Sequence, residues 1–155
     1  MKITLIAALT RDRVIGNDGE IPWDIPEELE HFKNTTFGHP IIVGRNTREN
    51  IGELPERLNI VLSRSETFNG EQTVTARNKQ AAIEAAMDSF EDEVFIIGGE
   101  SIYRHFIDDA DRLILSWIDK NYEGDTHFPD FTYPEWKMME QRIRNKYTII
   151  DYEKR

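Results

Sequence analysis

The chemistry-bearing residue that draws attention first is Glu28, a carboxylate within Ile25-Pro26-Glu27-Glu28-Leu29-Glu30-His31-Phe32. Pro26 suits the first turn of a helix, and Asp24, Glu27 and Glu28 place negative charge at its positive end. At about 100° per residue, Ile25, Leu29, Phe32 and Thr36 fall on one stripe, with Glu27, Glu30 and His31 on the other side. Glu28 then lies at the edge of the apolar stripe, next to Phe32. A carboxylate buried there requires a cationic or hydrogen-bonding partner. Helical position alone reads more simply, as a helix-start acid that bends out to water or pairs with a nearby Arg.

A second kind of chemistry sits where strands run into helices. Ile97-Gly98-Gly99-Glu100-Ser101-Ile102-Tyr103 passes from a strand through two glycines into a helix, which lets backbone N–H groups approach a pyrophosphate. A plain tight turn explains the Gly-Gly pair as well, and the pattern is not the Gly-x-Gly-x-x-Gly of a standard dinucleotide unit. Val43-Gly44-Arg45-Asn46-Thr47 offers an Arg and two hydrogen-bonding side chains at another such junction, and Ser63-Arg64 ends the next strand similarly. Ligands of open α/β sheets gather beyond the carboxyl ends of the strands, so these three junctions are placed to converge on one anion. Arg45, Arg64 and Arg77 would supply the local positive charge for it. Each Arg alone reads as a solvated surface residue; the repeated placement after strands carries the argument.

Those residues need a scaffold, and the hydrophobic pattern outlines one. Ile3–Ala8, Pro40–Val43, Asn59–Leu62, Gln72–Thr75, Val94–Ile97 and Arg112–Ile118 read as strands, several apolar on both sides. Pro26–Thr36, Thr47–Ile51, Asn78–Phe90 and Glu100–Ile107 read as helices. The alternation predicts an α/β fold with an open, mostly parallel sheet flanked by helices. Lys137–Ile143 and Tyr147–Tyr152 read as an antiparallel hairpin turning at Arg144-Asn145-Lys146, which makes the sheet mixed. Thr10–Asp24 reads as a long loop without structure of its own, a length that more often serves function than not.

Composition narrows the classes. A chain of 155 residues with no repeat or linker-like tract is expected to form one domain over residues 1–155. A formal charge of -10 disfavours a general nucleic-acid surface. Without cysteine there is neither a disulfide framework nor a thiolate metal site. No apolar run approaches the roughly 18 residues of a membrane span, and the opening residues read as a buried strand rather than a leader, so a cytoplasmic setting is expected. Nothing in the pattern resembles a large apolar interface, which points to a monomer. His127 lacks a partner at ligand spacing and reads as a structural histidine, so no metal is expected.

Taken in order, the motifs resemble those of the dihydrofolate reductases over almost the whole chain. The resemblance rests on Ile6-Ala7-Ala8, Val14-Ile15-Gly16, Pro22-Trp23, Glu28-Leu29-x-x-Phe32-Lys33, Gly44-Arg45-x-Thr47, Leu54-Pro55-x-Arg57 and Asn59-Ile60. It continues through Ile97-Gly98-Gly99, Tyr103 and Glu123-Gly124-Asp125-Thr126-His127-Phe128-Pro129. What it implies is reduction of 7,8-dihydrofolate to tetrahydrofolate by hydride transfer from NADPH, a role in one-carbon metabolism, and susceptibility to antifolate inhibitors.

By the same resemblance Glu28 looks like the pterin anchor, Trp23 and Ile21 belong to a mobile lid formed by Thr10–Asp24, and Asp125 is a strut for that lid. Ser116 stands where the family has a Thr that hydrogen-bonds the acid and the pterin amine. Glu28, Trp23 and Ser116 are thus the implied catalytic set. Ile6, Ala7, Phe32, Ile51, Leu54 and Ile97 would wall the substrate, and Arg57 would meet its glutamyl carboxylate. Ala8, Ile15, Gly16, Arg45, Asn46, Thr47, Ser63, Arg64, Arg77, Gly98, Gly99, Ser101, Ile102 and Tyr103 would line the cofactor. Arg45 and Arg64 beside an adenosine 2'-phosphate favour NADPH over NADH. Two positions depart from common members: Arg48 stands where an aromatic residue often does, and Glu53 where a basic residue can occur. Two other readings stay open on sequence alone, an idle nucleotide-binding module and a related pterin or pyrimidine reductase that would have no use for Arg57.

Overall fold

The computed structural model describes residues 1–131 and 135–155. Among the described residues a central sheet of eight strands runs in the order β5-β4-β3-β6-β1-β7-β10-β9. Here β1 is Lys2–Leu9, β3 Ile41–Gly44, β4 Asn59–Leu62, β5 Thr73–Ala76, β6 Glu93–Ile96, β7 Arg112–Ile118, β9 Trp136–Ile143 and β10 Tyr147–Lys154. The pairings from β5 across to β7 are parallel, and β7-β10-β9 is antiparallel, which is the mixed sheet the pattern predicts. Parallel neighbours need crossovers, and the helices α1 (Pro26–Thr36), α2 (Arg45–Ile51), α3 (Lys79–Met87) and α4 (Glu100–Phe106) supply them.

Strand alternation sends β1 side chains to opposite faces and so divides the core. Leu5, Ala7 and Leu9 join Ile42, Ile60, Ile96, Leu113, Leu115 and the α3 and α4 residues Ala82, Ala86, Ile102, Tyr103 and Phe106. Ile6 joins Ile41, Val43, Val61, Phe95, Ile97, Ile114, Ile118, Tyr147 and Ile149, and Trp23, Ile25 and Phe32 pack on that face. The strands between the two faces are apolar on both sides because both are covered.

The stretch Thr10–Asp24 differs from the unstructured loop that its composition suggests. Val14–Gly16 forms a short strand, β2, antiparallel to β8 (Thr126–His127). The pairing joins residues more than a hundred positions apart, so no local pattern announces it. It is supported by Arg13 Nη1 donating to the Phe128 carbonyl at 2.5 Å and by the Phe128 N–H donating to the Arg13 carbonyl at 2.8 Å. Helix α2 begins at Arg45, two residues earlier than expected, and α3 ends at Met87 rather than Phe90.

Candidate active site

Helix α1 has a different phase from the one its apolar residues suggest. Its covered positions are Glu28, His31, Phe32, Thr35 and Thr36, while Leu29 is 50% exposed. Glu28 is therefore inside the sheet-facing stripe, one turn from His31 and Phe32, and not at its edge. The reason lies at the other end of the helix. Thr36, fully buried, accepts a hydrogen bond from Arg57 Nε at 3.0 Å, and Arg57 Nη2 donates to the Lys33 carbonyl at 2.6 Å. A clamp on the last turn sets the rotation of every residue before it.

Burial raises the carboxyl of Glu28 above its ordinary range, and the Ser116 hydroxyl, its hydrogen-bonding partner, pulls it part of the way back. Ser116 is 1% exposed on β7, directly opposite Ala8 in register. Among the described residues no Lys, Arg or His forms an ion pair with Glu28. A half-buried carboxylate with one hydroxyl as its protein partner is costly unless a donor comes from outside the chain. The Tyr103 hydroxyl, raised chiefly by its own burial and then by Glu28, donates to the Ile6 carbonyl at 2.7 Å, so it ties α4 to β1 beside this acid.

The walls are apolar. Ile6, Trp23 and Ile97 belong to the α1-side core, and Ala8, Phe32 and Leu54 pack against it. Ile51 and Ile21 lie further out, 45% and 61% exposed. Ala7 does not join them: by strand alternation its side chain packs on the α3–α4 side, away from Glu28. Trp23 is 8% exposed and packs against Tyr122, a residue to which sequence alone assigned no role, with ring centroids 5.7 Å apart and planes tilted by 52°. Within the same Thr10–Asp24 segment, the Asp18 N–H donates to Asp125 Oδ2 at 3.1 Å, and the Gly16 carbonyl accepts from the Asp125 N–H at 3.1 Å.

Arg57 is 6% exposed and uses three of its nitrogens on its own chain, at Thr36, Lys33 and the Pro55 carbonyl. No carboxylate ion-pairs with it among the described residues, and burial lowers the pKa of its guanidinium. It is a cation pre-set by backbone carbonyls, with charge left over for an anion.

Two of the three strand-end junctions touch directly. The Gly44 N–H donates to the Gly98 carbonyl at 2.9 Å, which brings the ends of β3 and β6 together. A side chain on Gly44 would strike Ile102 at 2.7 Å, and one on Gly98, at φ +112, would press on the Tyr103 ring at 3.2 Å. Thr47 Oγ1 lies 3.2 Å from the place a Gly99 side chain would occupy. Gly44, Thr47, Gly98, Gly99, Ile102 and Tyr103 are thus one packed unit, while Ser101 is exposed. Sheet order β5-β4-β3-β6 then delivers Arg77, Ser63-Arg64, Arg45 and Gly98 from successive strand ends. Ile15 and Gly16, on β2, are half-buried. Asn46 Oδ1 accepts from Arg45 Nη2 at 3.4 Å.

Two further residues stand beside this rim, Arg48, which the sequence marked only as a departure from common members, and Glu66, which it did not single out. Arg48 is 7% exposed, with Nη2 donating to the Asn69 carbonyl at 3.3 Å and Nη1 unpartnered. Glu66 pairs with Arg45 at 2.9 Å. Glu53 turns inward to the next loop, where it accepts from the Gln72 N–H at 3.0 Å and from the Thr73 hydroxyl. His127 donates its backbone N–H to Glu100 at 2.6 Å.

Comparison with known proteins agrees with this geometry. A family model described as dihydrofolate reductase matches residues 2–154. A dihydrofolate reductase of Staphylococcus haemolyticus is 41% identical over 98% of this chain and 92% of its own. The type 3 dihydrofolate reductase of Salmonella typhimurium is 43% identical over 91% and 86%, and dihydrofolate reductase HdrB of Haloferax volcanii is 34% identical over 100% and 84%. A solved dihydrofolate reductase from Enterococcus faecalis, complexed with NADP(H) and RAB-propyl, superimposes with a TM-score of 0.88 at 27% identity, covering 99% of this chain and 96% of that one.

Proposed function

The chain belongs to the dihydrofolate reductase family, whose NADPH-dependent reduction of 7,8-dihydrofolate to tetrahydrofolate is its activity, and we propose that Glu28, Ser116 and Trp23 carry that reaction here. The observation that carries the proposal is the half-buried Glu28 carboxylate, with Ser116 as its partner and, among the described residues, no cation ion-paired to it. A pterin ring presents a 2-amino group and an N3–H side by side, two donors at the spacing of one carboxylate, so the ionised acid holds the ring in one orientation. Ile6, Phe32, Leu54 and Ile97 supply the apolar slot around it. Arg57, clamped at the rim, takes the glutamyl carboxylate.

The residues present fit NADPH: Gly44 and Gly98 meet with no room for side chains, and Arg45, Ser63, Arg64 and Arg77 stand at adjacent strand ends. Bound there, NADPH supplies the hydride. Ala8, Ile15, Gly16, Asn46, Thr47, Gly99, Ser101, Ile102 and Tyr103 complete its surroundings. The ionised Glu28 favours a ring protonated at N5, and because its helical neighbours Glu27 and Glu30 are exposed on the other side of α1, that proton arrives through water. Trp23, held by Tyr122, and the Asp125–Asp18 contact keep the Thr10–Asp24 segment over the site and exclude bulk solvent.

The protein works as one domain over residues 1–155, as a monomer in the cytoplasm, and it binds antifolates in the dihydrofolate slot. No described helix is long and apolar enough to cross a membrane. A spectrophotometric assay with dihydrofolate and NADPH, with and without a competitive antifolate, tests the reading. Dihydrofolate-dependent, antifolate-sensitive NADPH oxidation is expected; its absence at every salt concentration tried would overturn it.

A further inference from the structure

The turn that follows β4 carries an acid in among Arg45, Arg64 and Arg77. The Glu66 N–H donates to Ser63 Oγ at 3.1 Å, and Arg77 Nη1 donates to the Glu66 carbonyl at 2.6 Å and to the Ser63 carbonyl at 3.3 Å. Arg77 Nη2 donates to Thr67 Oγ1 at 2.5 Å. Arg77 thereby holds the turn by its backbone, and the turn aims the Glu66 side chain at Arg45, Nη1 to Oε1 at 2.9 Å. Both side chains are near half exposure, 45% and 49%, so the pair does little for stability. What it changes is the charge offered to a ligand. Of three cations at adjacent strand ends, Arg77 is engaged with backbone oxygens and Arg45 with a carboxylate. Among the described residues Arg64 makes no side-chain hydrogen bond or ion pair.

We propose that Glu66 is a specificity-determining residue for the cofactor, one that weakens the preference for a 2'-phosphorylated adenosine over an unphosphorylated one. The proposal rests on the reading that Arg45 and Arg64 receive the 2'-phosphate. A phosphomonoester bears about -1.5 to -2 charge at neutral pH. To reach Arg45 it must take the guanidinium from Glu66 and then lie beside that carboxylate, two like charges on one rim. A free 2'-hydroxyl meets no such repulsion and finds in Glu66 an acceptor, the arrangement by which an acidic residue recognises an unphosphorylated ribose. The same side chain thus opposes NADPH and supports NADH.

The test compares calorimetric binding of adenosine 2',5'-bisphosphate and of adenosine 5'-monophosphate to the unaltered chain, to Glu66→Gln and to Arg45→Gln, with KM for NADPH and NADH measured alongside. Glu66→Gln is expected to tighten the bisphosphate by about threefold or more, the range an exposed ion pair of this kind commands. It should leave the monophosphate unchanged or weaker, and the ratio of KM for NADH to KM for NADPH should rise in proportion. The gain should shrink as salt is raised. Arg45→Gln should weaken the bisphosphate about fivefold or more through loss of a charge-assisted contact. If Arg45→Gln leaves bisphosphate binding untouched, the placement of the 2'-phosphate is wrong and the role of Glu66 goes with it. If Arg45→Gln behaves as expected but Glu66→Gln shifts both nucleotides alike, or neither, the placement stands and Glu66 is only a surface partner of Arg45.

Discussion

Replacing Glu28 with Gln keeps the shape of the side chain and a hydrogen-bonding group for Ser116, and removes only the charge. Its consequence for rate follows from where the charge sits. In a half-buried apolar slot an effective dielectric of about 20 applies, and a unit charge acting over roughly 4–6 Å is then worth about 3–4 kcal/mol. If that interaction is felt mainly by the protonated, reacting pterin, turnover at neutral pH should fall by roughly 100- to 1,000-fold. Stability should move the other way. Burial raises the pKa of Glu28, so the folded protein holds this proton more tightly than the unfolded chain does. Stability contributed by the protonated form is present below the unfolded value, falls as pH rises through the window up to the raised one, and is absent above it. Glu28→Gln should therefore melt higher at neutral pH, by about 2–4 °C for each kcal/mol of relieved desolvation, and should lose the acid limb of the kcat/KM profile. NADPH oxidation, thermal melts and the pH profile read the three effects, with Glu28→Asp as the variant that keeps the charge. Turnover of Glu28→Gln within threefold of the parent would refute the electrostatic argument, as would equal losses in the Gln and Asp variants.

Ser116→Ala removes the one hydroxyl that lowers the pKa of Glu28, so the acid limb of the kcat/KM profile should move to higher pH while the fold is kept. Arg57→Gln should raise KM for dihydrofolate by about tenfold or more, and by clearly less for a pterin substrate without the glutamyl tail, which feels only the loosened end of α1. The same change strips donors from Thr36 and the Lys33 carbonyl and should cost about 1–3 kcal/mol in denaturant unfolding. Gly98→Ala forces a side chain onto the Tyr103 ring at a φ of +112, and should destabilise the fold by about 1–3 kcal/mol and raise KM for NADPH more than KM for dihydrofolate. Asp125→Asn weakens the acceptor for the Asp18 N–H, and a several-fold drop in turnover with an unchanged melting temperature is the outcome expected of a lid contact.

Local chemistry made much of this molecule legible from its residue order. Asn59–Leu62 and Arg112–Ile118 are strands at the bounds their β-branched runs suggest, and Pro26–Thr36 is a helix from its Pro at the first turn to its last residue. Those features depend on side chains within a few positions of one another, as do the glycine-bearing strand ends at Gly44 and Gly98. Order along the chain also located Glu28, Arg57 and the three cationic strand ends. Tertiary structure decided the remainder, because each of those features joins distant parts of the chain. The rotation of α1, and with it the burial of Glu28 in place of Leu29, is set by Arg57 gripping Thr36 and Lys33. The pairing of Val14–Gly16 with Thr126–His127 turns an apparent loop into a tethered segment. Ala7 faces away from the site because β1 is covered on both sides. The Glu66–Arg45 pair exists because β3 and β4 lie side by side in the sheet and Arg77 folds the turn between them and β5, a juxtaposition that no spacing along the chain encodes.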